Sequence, residues 1–413
     1  MIKKLLLLNL GSKNNMKRIV FPLLVLAICL SLAIGLVAAE DFAVPGDLDG
    51  NKMVSLNELE AAKEDQKDGK ISSDQLEEIR HIHENYPRTI TDSAGKDVTV
   101  WKPLEQIVVF NSETVEVMRS LNAEDKIIGV GKYTKEDEVF FGELSDLPSI
   151  GSVWTADLEA VLDLHPDAVF VYGTFMNNSI DEIQETLASA DPNLIVVRLD
   201  CFVPESYTDE VEMLGVILER DAEAEEYIEF YESALGPIED AVESLLDKEK
   251  PKVYLERWTD YRTATQGAAW HDKLVMAGGN NVFGDLALSY VDVDPESIIE
   301  NNPEIVIKLC GAGSLNFGGY AEDDVLEMKD LQESVMNRPG WDAVDAVKND
   351  QVYVLSNDIL GGAQHFIGIA YLAKLLHPDL FSDLDLVAVH EEYLTRFQGM
   401  ELQGVFLYPE VPA

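Results

Sequence analysis

The sequence predicts an α/β protein of two lobes, each with a mostly parallel sheet, joined by a long bridging helix and preceded by a small α-helical segment. Three observations predict it. Seven short apolar runs alternate with longer amphipathic stretches, one short unit occurs twice, and a helical stretch separates the fourth run from the fifth. With 413 residues the chain is too long for one compact core, and at 46% apolar residues it can bury a substantial interior.

The runs are IVVF (107–110), IIGV (127–130), AVFVY (168–172), LIVVRL (194–199), KVYLE (252–256), EIVIKL (304–309) and QVYVL (351–355). Strands that are apolar throughout are buried on both faces, as in parallel sheets covered by helices. The stretch from Tyr207 to Lys248 reads as helix, interrupted at Gly236-Pro237. Domains follow at 88–206 for the first lobe, 207–250 for the bridging region and 251–413 for the second lobe.

The repeat ties the lobes together. Residues 157–171, DLEAVLDLHPDAVFV, align without a gap on 294–308, DPESIIENNPEIVIK. Asp157 matches Asp294, Glu159 matches Glu296 and Pro166 matches Pro303. Each copy reads as an Asp N-cap, a short helix, a Pro that stops it and a buried strand.

Ahead of the lobes stand two further segments. Lys17-Arg18 precede an uncharged run ending in Val37-Ala38-Ala39, the pattern of an export signal, so residues 1–39 are read as a signal peptide or a retained membrane anchor and the bulk of the chain as exported, cell-surface protein. Cys29 follows Ile28 where a lipidation signal wants a small residue, and is not read as a lipid site. Cys201 and Cys310 either pair or are two buried thiols.

Residues 40–87 place Asp47, Asp49, Asn51, the Met53 carbonyl, Ser55 and Glu58 at positions 1, 3, 5, 7, 9 and 12 of a calcium loop. A second loop from Glu64 to Gln75 has Gly69 and Asp68 in place but weak outer positions. Two loops in tandem resemble a dockerin or paired EF-hand, which implies Ca²⁺ as a cofactor. Lys52 departs from that pattern, since it stands where Gly makes the sharp turn. The alternative is a solvated acidic stalk with capped helices.

Formal charge is -45, and after residue 39 there are 26 basic against 76 acidic residues. That excludes nucleic acid as a partner and speaks to solubility, in a salty medium for example, more than to fold. No G-x-S-x-G elbow, H-E-x-x-H or phosphate loop is present, so the chain is not read as an enzyme.

Cleft residues are expected at strand ends and the loops that follow them. The candidates are Asn111, Trp154, Tyr172 with the loop to Phe175, Arg257, Trp258, Tyr261, Trp270, His271, Tyr290, Asn316-Phe317, and Gln364 with His365. Aromatic rings give apolar contact, Arg gives anion contacts, and His271 and His365 are possible metal ligands.

Taken in order, RTITDSAGKDVTV (88–100), LNAEDKIIGVG (121–131), Ala277-Gly278-Gly279-Asn280, RPGWDAVDAVKNDQVYVLS (338–356) and YLAKLLHPDLF (371–381) resemble the class III periplasmic binding protein family over about residues 88–381. The resemblance implies two Rossmann-like lobes bridged by one helix, with a ligand in the cleft between them, iron–siderophore first, corrinoid second and haem third. It implies an ABC permease as partner of a monomer, docked through one acid per lobe at Glu159 and Glu296, and only slight closure on binding. Two other classes stand beside it, a calcium-dependent surface adhesion or scaffold protein and a surface hydrolase.

Overall fold

In the computed structural model of the chain, residues 43–410 are described; the export segment read at residues 1–39, with Cys29, lies outside them. No helix among the described residues is long and apolar enough to cross a membrane.

Two helices, Leu56–Lys67 and Ser73–Asn85, make up the N-terminal segment. Each begins with a capping box: the Ser55 and Ser72 hydroxyls accept from the backbone of Glu58 and Gln75, whose side chains reach back to the cap N–H. Val54, Leu59, Ile79 and Ile82 are buried there. His81 Nε2 lies 2.6 Å from Glu219, and Lys52 Nζ lies 3.3 Å from Asn193 Oδ1. The segment is thus seated on the first lobe rather than standing off as a stalk.

The first lobe opens with a hairpin of β1 (Arg88–Thr91) and β2 (Asp97–Val100). Its sheet uses β3 (Ile107–Val109) and β4 (Ile127–Val130); β5 (Gly151–Ser152) and β6 (Thr155–Ala156) form a small separate hairpin; β7 (Ala168–Val171) and β8 (Ile195–Arg198) complete the sheet. The order β4-β3-β7-β8 is parallel throughout, as continuous apolar runs require.

The second lobe contains β9 (Lys252–Glu256), β10 (Arg262–Ala264), β11 (Asn280–Asn281), β12 (Tyr290–Asp292), β13 (Ile305–Cys310), β14 (Val352–Ser356) and β15 (Leu407–Tyr408). Its centre, β9-β13-β14, is parallel, while β10, β12 and β15 add antiparallel edges. Three strands were expected here. The four extra ones are two or three residues long and carry no apolar run.

Between the lobes the chain forms Tyr207–Leu218 and Asp221–Glu243. The break falls at Glu219, which takes a left-handed φ of 59°, and not at Gly236-Pro237. Pro237 lies inside the second helix on its exposed side, where a missing N–H costs least. At 23 residues, that helix spans roughly 35 Å at 1.5 Å per residue.

A second crossing was not foreseen. Helix Leu386–Tyr393 runs into a π-helical turn, Leu394–Gln398, that leaves the second lobe and packs on helix Ser112–Ser120 of the first. The Tyr393 hydroxyl donates to Glu116, Arg119 Nε donates to Gln398 Oε1 at 2.6 Å, and Gln398 Nε2 donates to Ser120 Oγ at 2.7 Å. Residues 251–413 are therefore not all one lobe. Around both crossings Tyr207, Tyr227, Phe230, Tyr231, Phe366 and Phe397 belong to one continuous buried cluster. Two struts and a shared apolar core resist lobe rotation, so small-angle scattering should show a radius of gyration that falls by no more than about 2% when ligand saturates. A fall of several per cent would contradict the rigid frame.

Both remaining cysteines are buried free thiols, Cys201 under the first lobe's core and Cys310 at the end of β13, which leaves the pairing alternative aside.

Candidate functional site

The repeat is realised as read. The Asp157 carboxylate accepts from Ala160 N at 3.0 Å to open helix Leu158–Asp163, and Asp294 accepts from Glu296 N at 2.8 Å to open Pro295–Asn301. Each helix leads into a buried strand, β7 and β13. Glu159 and Glu296 are exposed in the first turns, and neither forms an ion pair among the described residues.

A cleft of about 880 Å³ is walled by both lobes. From the first lobe come Trp154, Tyr172 and Phe175, with Tyr133 and Phe202; the rings meet edge to face from Tyr133 through Trp154, Phe175 and Tyr172 to Phe202, with centroids 5.3–6.3 Å apart. From the second come Arg257, Trp258, Trp270, Tyr290, Asn316, Phe317 and Gln364. A second hollow of about 730 Å³, lined by Lys96, Asp181 and Arg198, lies within the first lobe alone; Arg198 is paired there with Asp181 at 2.6 Å.

Arg257 is the cleft's distinctive group. It follows the last residue of β9, and its guanidinium carbon sits 4.0 Å from the Trp258 ring centroid, 4.7 Å from Trp270 and 4.4 Å from Tyr290. Its Nε is buried with no hydrogen-bond partner. Three rings hold the cation flat, and a donor remains for an acceptor entering the cleft.

Four candidates fall elsewhere. Asn111 is buried, donating to Leu199 O at 3.1 Å and to Thr114 Oγ1 at 2.5 Å, so it fastens the start of its helix. Tyr261, at a positive φ of 61°, packs under the Arg338 guanidinium. His271 Nδ1 is held 3.0 Å from Asn281 Nδ2. His365 is fully buried against the bridging helix, its Nε2 2.9 Å from the Tyr231 hydroxyl, and burial drives its pKa well below the usual range. Fully buried, facing a tyrosine and absent from the cleft lining, it packs against the bridging helix.

Acids that were not singled out line the cleft instead. Glu113 and Glu116 lie one turn apart on helix Ser112–Ser120, which follows β3, and Asp358 lies just past β14. Tyr172 donates to Glu113 Oε2 at 3.0 Å, and burial raises the pKa of Glu113 and pushes Glu116 up to about 8. The strand-end rule covers these positions, but in so acidic a chain three more carboxylates gave no contrast.

In the N-terminal loop the carboxylates of Asp47, Asp49 and Glu58 converge within 4.8 Å of one another; among the described residues this is the group that could hold a metal ion. Lys52 takes the left-handed turn, φ 68°, at the position where glycine was expected. The Asn51 Oδ1 accepts from Met53 N at 2.8 Å, the Met53 side chain is exposed, and the Ser55 hydroxyl serves the helix cap and donates to Glu58 Oε2 at 2.8 Å. Backbone amides of Ser55, Leu48 and Asp49 bring the Glu58 pKa down to about 2. Three convergent carboxylates suit a hard cation, and Ser55 is committed elsewhere.

Residues 107–359 match the family model described as periplasmic binding protein. The chain is 24% identical over 323 residues to a Bacillus subtilis protein described as an uncharacterized ABC transporter substrate-binding lipoprotein, YvrC, covering 77% of this chain and 92% of that one. It is 22% identical over 342 residues to the molybdate-binding protein MolA of Haemophilus influenzae, covering 75% and 90%. The fold is similar to that of the TroA-like periplasmic binding protein FepB from Veillonella parvula, with a TM-score of 0.69 and 23% identity over 78% of this chain and all of that one, 100%. Helicobacter pylori CeuE with Ni(II) bound gives a TM-score of 0.60 and 19% identity, over 76% and 97%. The chain belongs to the periplasmic binding protein family, whose members are solute-binding components of ABC transporters and not enzymes.

Proposed function

We propose that the protein is exported, captures a metal chelate in the inter-lobe cleft, iron–siderophore first and corrinoid next, and hands it to its permease through Glu159 and Glu296. The observation that carries the reading is the cleft itself: about 880 Å³, ringed by aromatic side chains, with the Arg257 donor unpartnered among three of them. A volume of that order suits a drug-sized or larger organic ligand and is wasteful for a bare ion. MolA is described as molybdate-bound, the Staphylococcus aureus protein IsdE as a haem uptake component, and a Saccharomonospora viridis relative as part of an Fe³⁺-hydroxamate transport system. Wrapped metals therefore stand among the relatives' ligands beside an oxyanion. Native mass spectrometry with a ferric siderophore, a corrinoid, haem and molybdate should retain one of the two chelates named first; retention of molybdate alone would sink the reading.

The same proposal gives the N-terminal loop one Ca²⁺, held by Asp47, Asp49, Asn51, the Met53 carbonyl and Glu58. Millimolar calcium should add one ion to the chain in a native mass spectrum and raise its melting temperature, since binding to the folded form alone stabilises by about 2.7 kcal/mol at a hundred times Kd. Asp47→Ala should erase both effects. Equal spectra and melts with and without calcium would return the segment to a purely structural role.

A further inference from the structure

The cleft is unevenly charged. Six carboxylates line it, Glu113, Glu116, Glu136, Asp137, Glu322 and Asp358, against two cations, Lys132 and Arg257. Lys132 lies 3.6 Å from Glu136 in an exposed pair, and Arg257 is stacked among its rings. Among the described residues no cation lining the cleft forms an ion pair with Glu113, Glu116 or Asp358; Arg119 and Lys273 stand behind its wall.

Those three are built in, not scattered on a rim. Glu116 is 4% exposed. It accepts from the Tyr393 hydroxyl and the Ala363 backbone, with Arg119 behind it turned to Gln398 and the Phe140 carbonyl. Asp358 accepts from the Tyr320 backbone and lies under the loop 311–320; a Cβ on Gly319 would meet its Oδ2 at 1.6 Å and one on Gly311 its Oδ1 at 3.0 Å. Both glycines have positive φ, so the loop can close over the carboxyl only without side chains there. Glu113 accepts from Tyr172 and Ser112. Lys273 lies nearby but is fully buried and donates to the Leu360 carbonyl. Burial pushes Asp358 up to about 7 and Glu116 up to about 8, with the Arg119 charge offsetting only part of the effect at Glu116.

Neutral donors hold these carboxyls in place but do not offset their ionised form; a cation would. On the second lobe's wall the Arg257 Nε offers a hydrogen bond to an acceptor, and the rings around it offer apolar contact.

We propose that the cleft selects a bulky complex bearing a cationic group, seated among Glu113, Glu116 and Asp358, with an oxygen acceptor against Arg257, and that it rejects oxyanions and polyanionic chelates. The inference rests on the cleft being the transport site. It narrows the ligand class by charge.

The test uses the purified chain and its tryptophan fluorescence. The probes are a ferric tris-hydroxamate with a free primary amine, the same complex with the amine acetylated, a trianionic ferric tris-catecholate, and molybdate. The amine-bearing complex should bind at least tenfold more tightly than the acetylated one, with no saturable binding of the catecholate or molybdate. In Glu116→Gln with Asp358→Asn, both isosteric, the preference for the amine should collapse to less than threefold. Equal or tighter binding of the acetylated or anionic probes overturns the proposal, as does binding of none. An anionic probe whose affinity falls in Arg257→Ala would overturn the charge selection and leave the cleft as the site. Binding indifferent to both Arg257→Ala and the double variant would remove the ligand from the cleft altogether.

Discussion

Cells carrying alanine at both Glu159 and Glu296 should lose ligand uptake while the purified double variant binds ligand with unchanged affinity. Each carboxylate is exposed in the first turn of a short helix whose cap, Asp157 or Asp294, is independent of it. Neither lines the cleft. Each is free to accept a bidentate guanidinium from a permease, a charge-assisted pair worth about 1.5–3 kcal/mol. Losing two such pairs removes about 3–6 kcal/mol of docking, or two to four powers of ten in affinity. A single substitution should leave measurable transport, because the other lobe still engages. The fold should not suffer, since an acid near a helix N-terminus contributes only about 0.3–1 kcal/mol. Calorimetric affinity and whole-cell transport, measured on the same variant, separate the outcomes. Uptake persisting in the double variant would mean that the repeated acids are caps and nothing more.

The core of the fold was legible because its strands are buried on both faces and therefore written as unbroken apolar runs; each of the seven runs became a strand of the two main sheets. Edges were not. Tyr290–Asp292 pairs on one side only, and both it and Arg262–Ala264 beside it are too short to show a period. The crossing at Leu394–Gln398 had no local signature either, since what places it is tertiary: Tyr393 reaching Glu116 and Gln398 reaching Arg119 across more than 270 positions.

At the site, large rings after strands were readable, and Trp154, Tyr172, Arg257, Trp258, Trp270 and Tyr290 do meet in one cleft. Which way a side chain turns was not readable. Asn111 and His365 sit at suitable chain positions, yet both point into the core, toward Leu199 and Tyr231. Glu113 and Glu116 lie in the helix that Asn111 begins and turn to the cleft instead. Lys52 shows the same gap in backbone form: a lysine took the left-handed turn because the surrounding amides, among them its own N–H to Asp47 Oδ2 at 2.8 Å, hold it there.

Glu256→Ala should be among the most damaging single changes in the second lobe and should weaken ligand binding from behind the cleft. Glu256 is 1% exposed at the end of β9. Its Oε1 accepts from Lys308 Nζ at 2.7 Å and Arg338 Nη2 at 2.8 Å. Its Oε2 accepts from Arg338 Nη1 at 2.8 Å, the Tyr254 hydroxyl at 2.8 Å and Tyr261 N at 3.0 Å. Lys308 is fully buried, and without Glu256 it keeps only the exposed Asp260 at 2.9 Å. Leaving a buried charge so nearly alone costs about 3–5 kcal/mol, a large share of the 5–15 kcal/mol that holds a typical domain. Replacing the well-exposed Asp260 by Ala should cost about 1 kcal/mol or less by the same reasoning. Glu256→Leu with Lys308→Met should cost less than Glu256→Ala alone, because no charge is then stranded. Arg257 and Trp258 continue directly from the pinned strand end, so releasing Glu256 also frees the frame that holds the Arg257 guanidinium among its rings. Urea midpoints and ligand affinity should therefore fall together in Glu256→Ala, whereas a loss below about 1 kcal/mol would mean that the network is dispensable and that the cleft's aromatic wall stands without it.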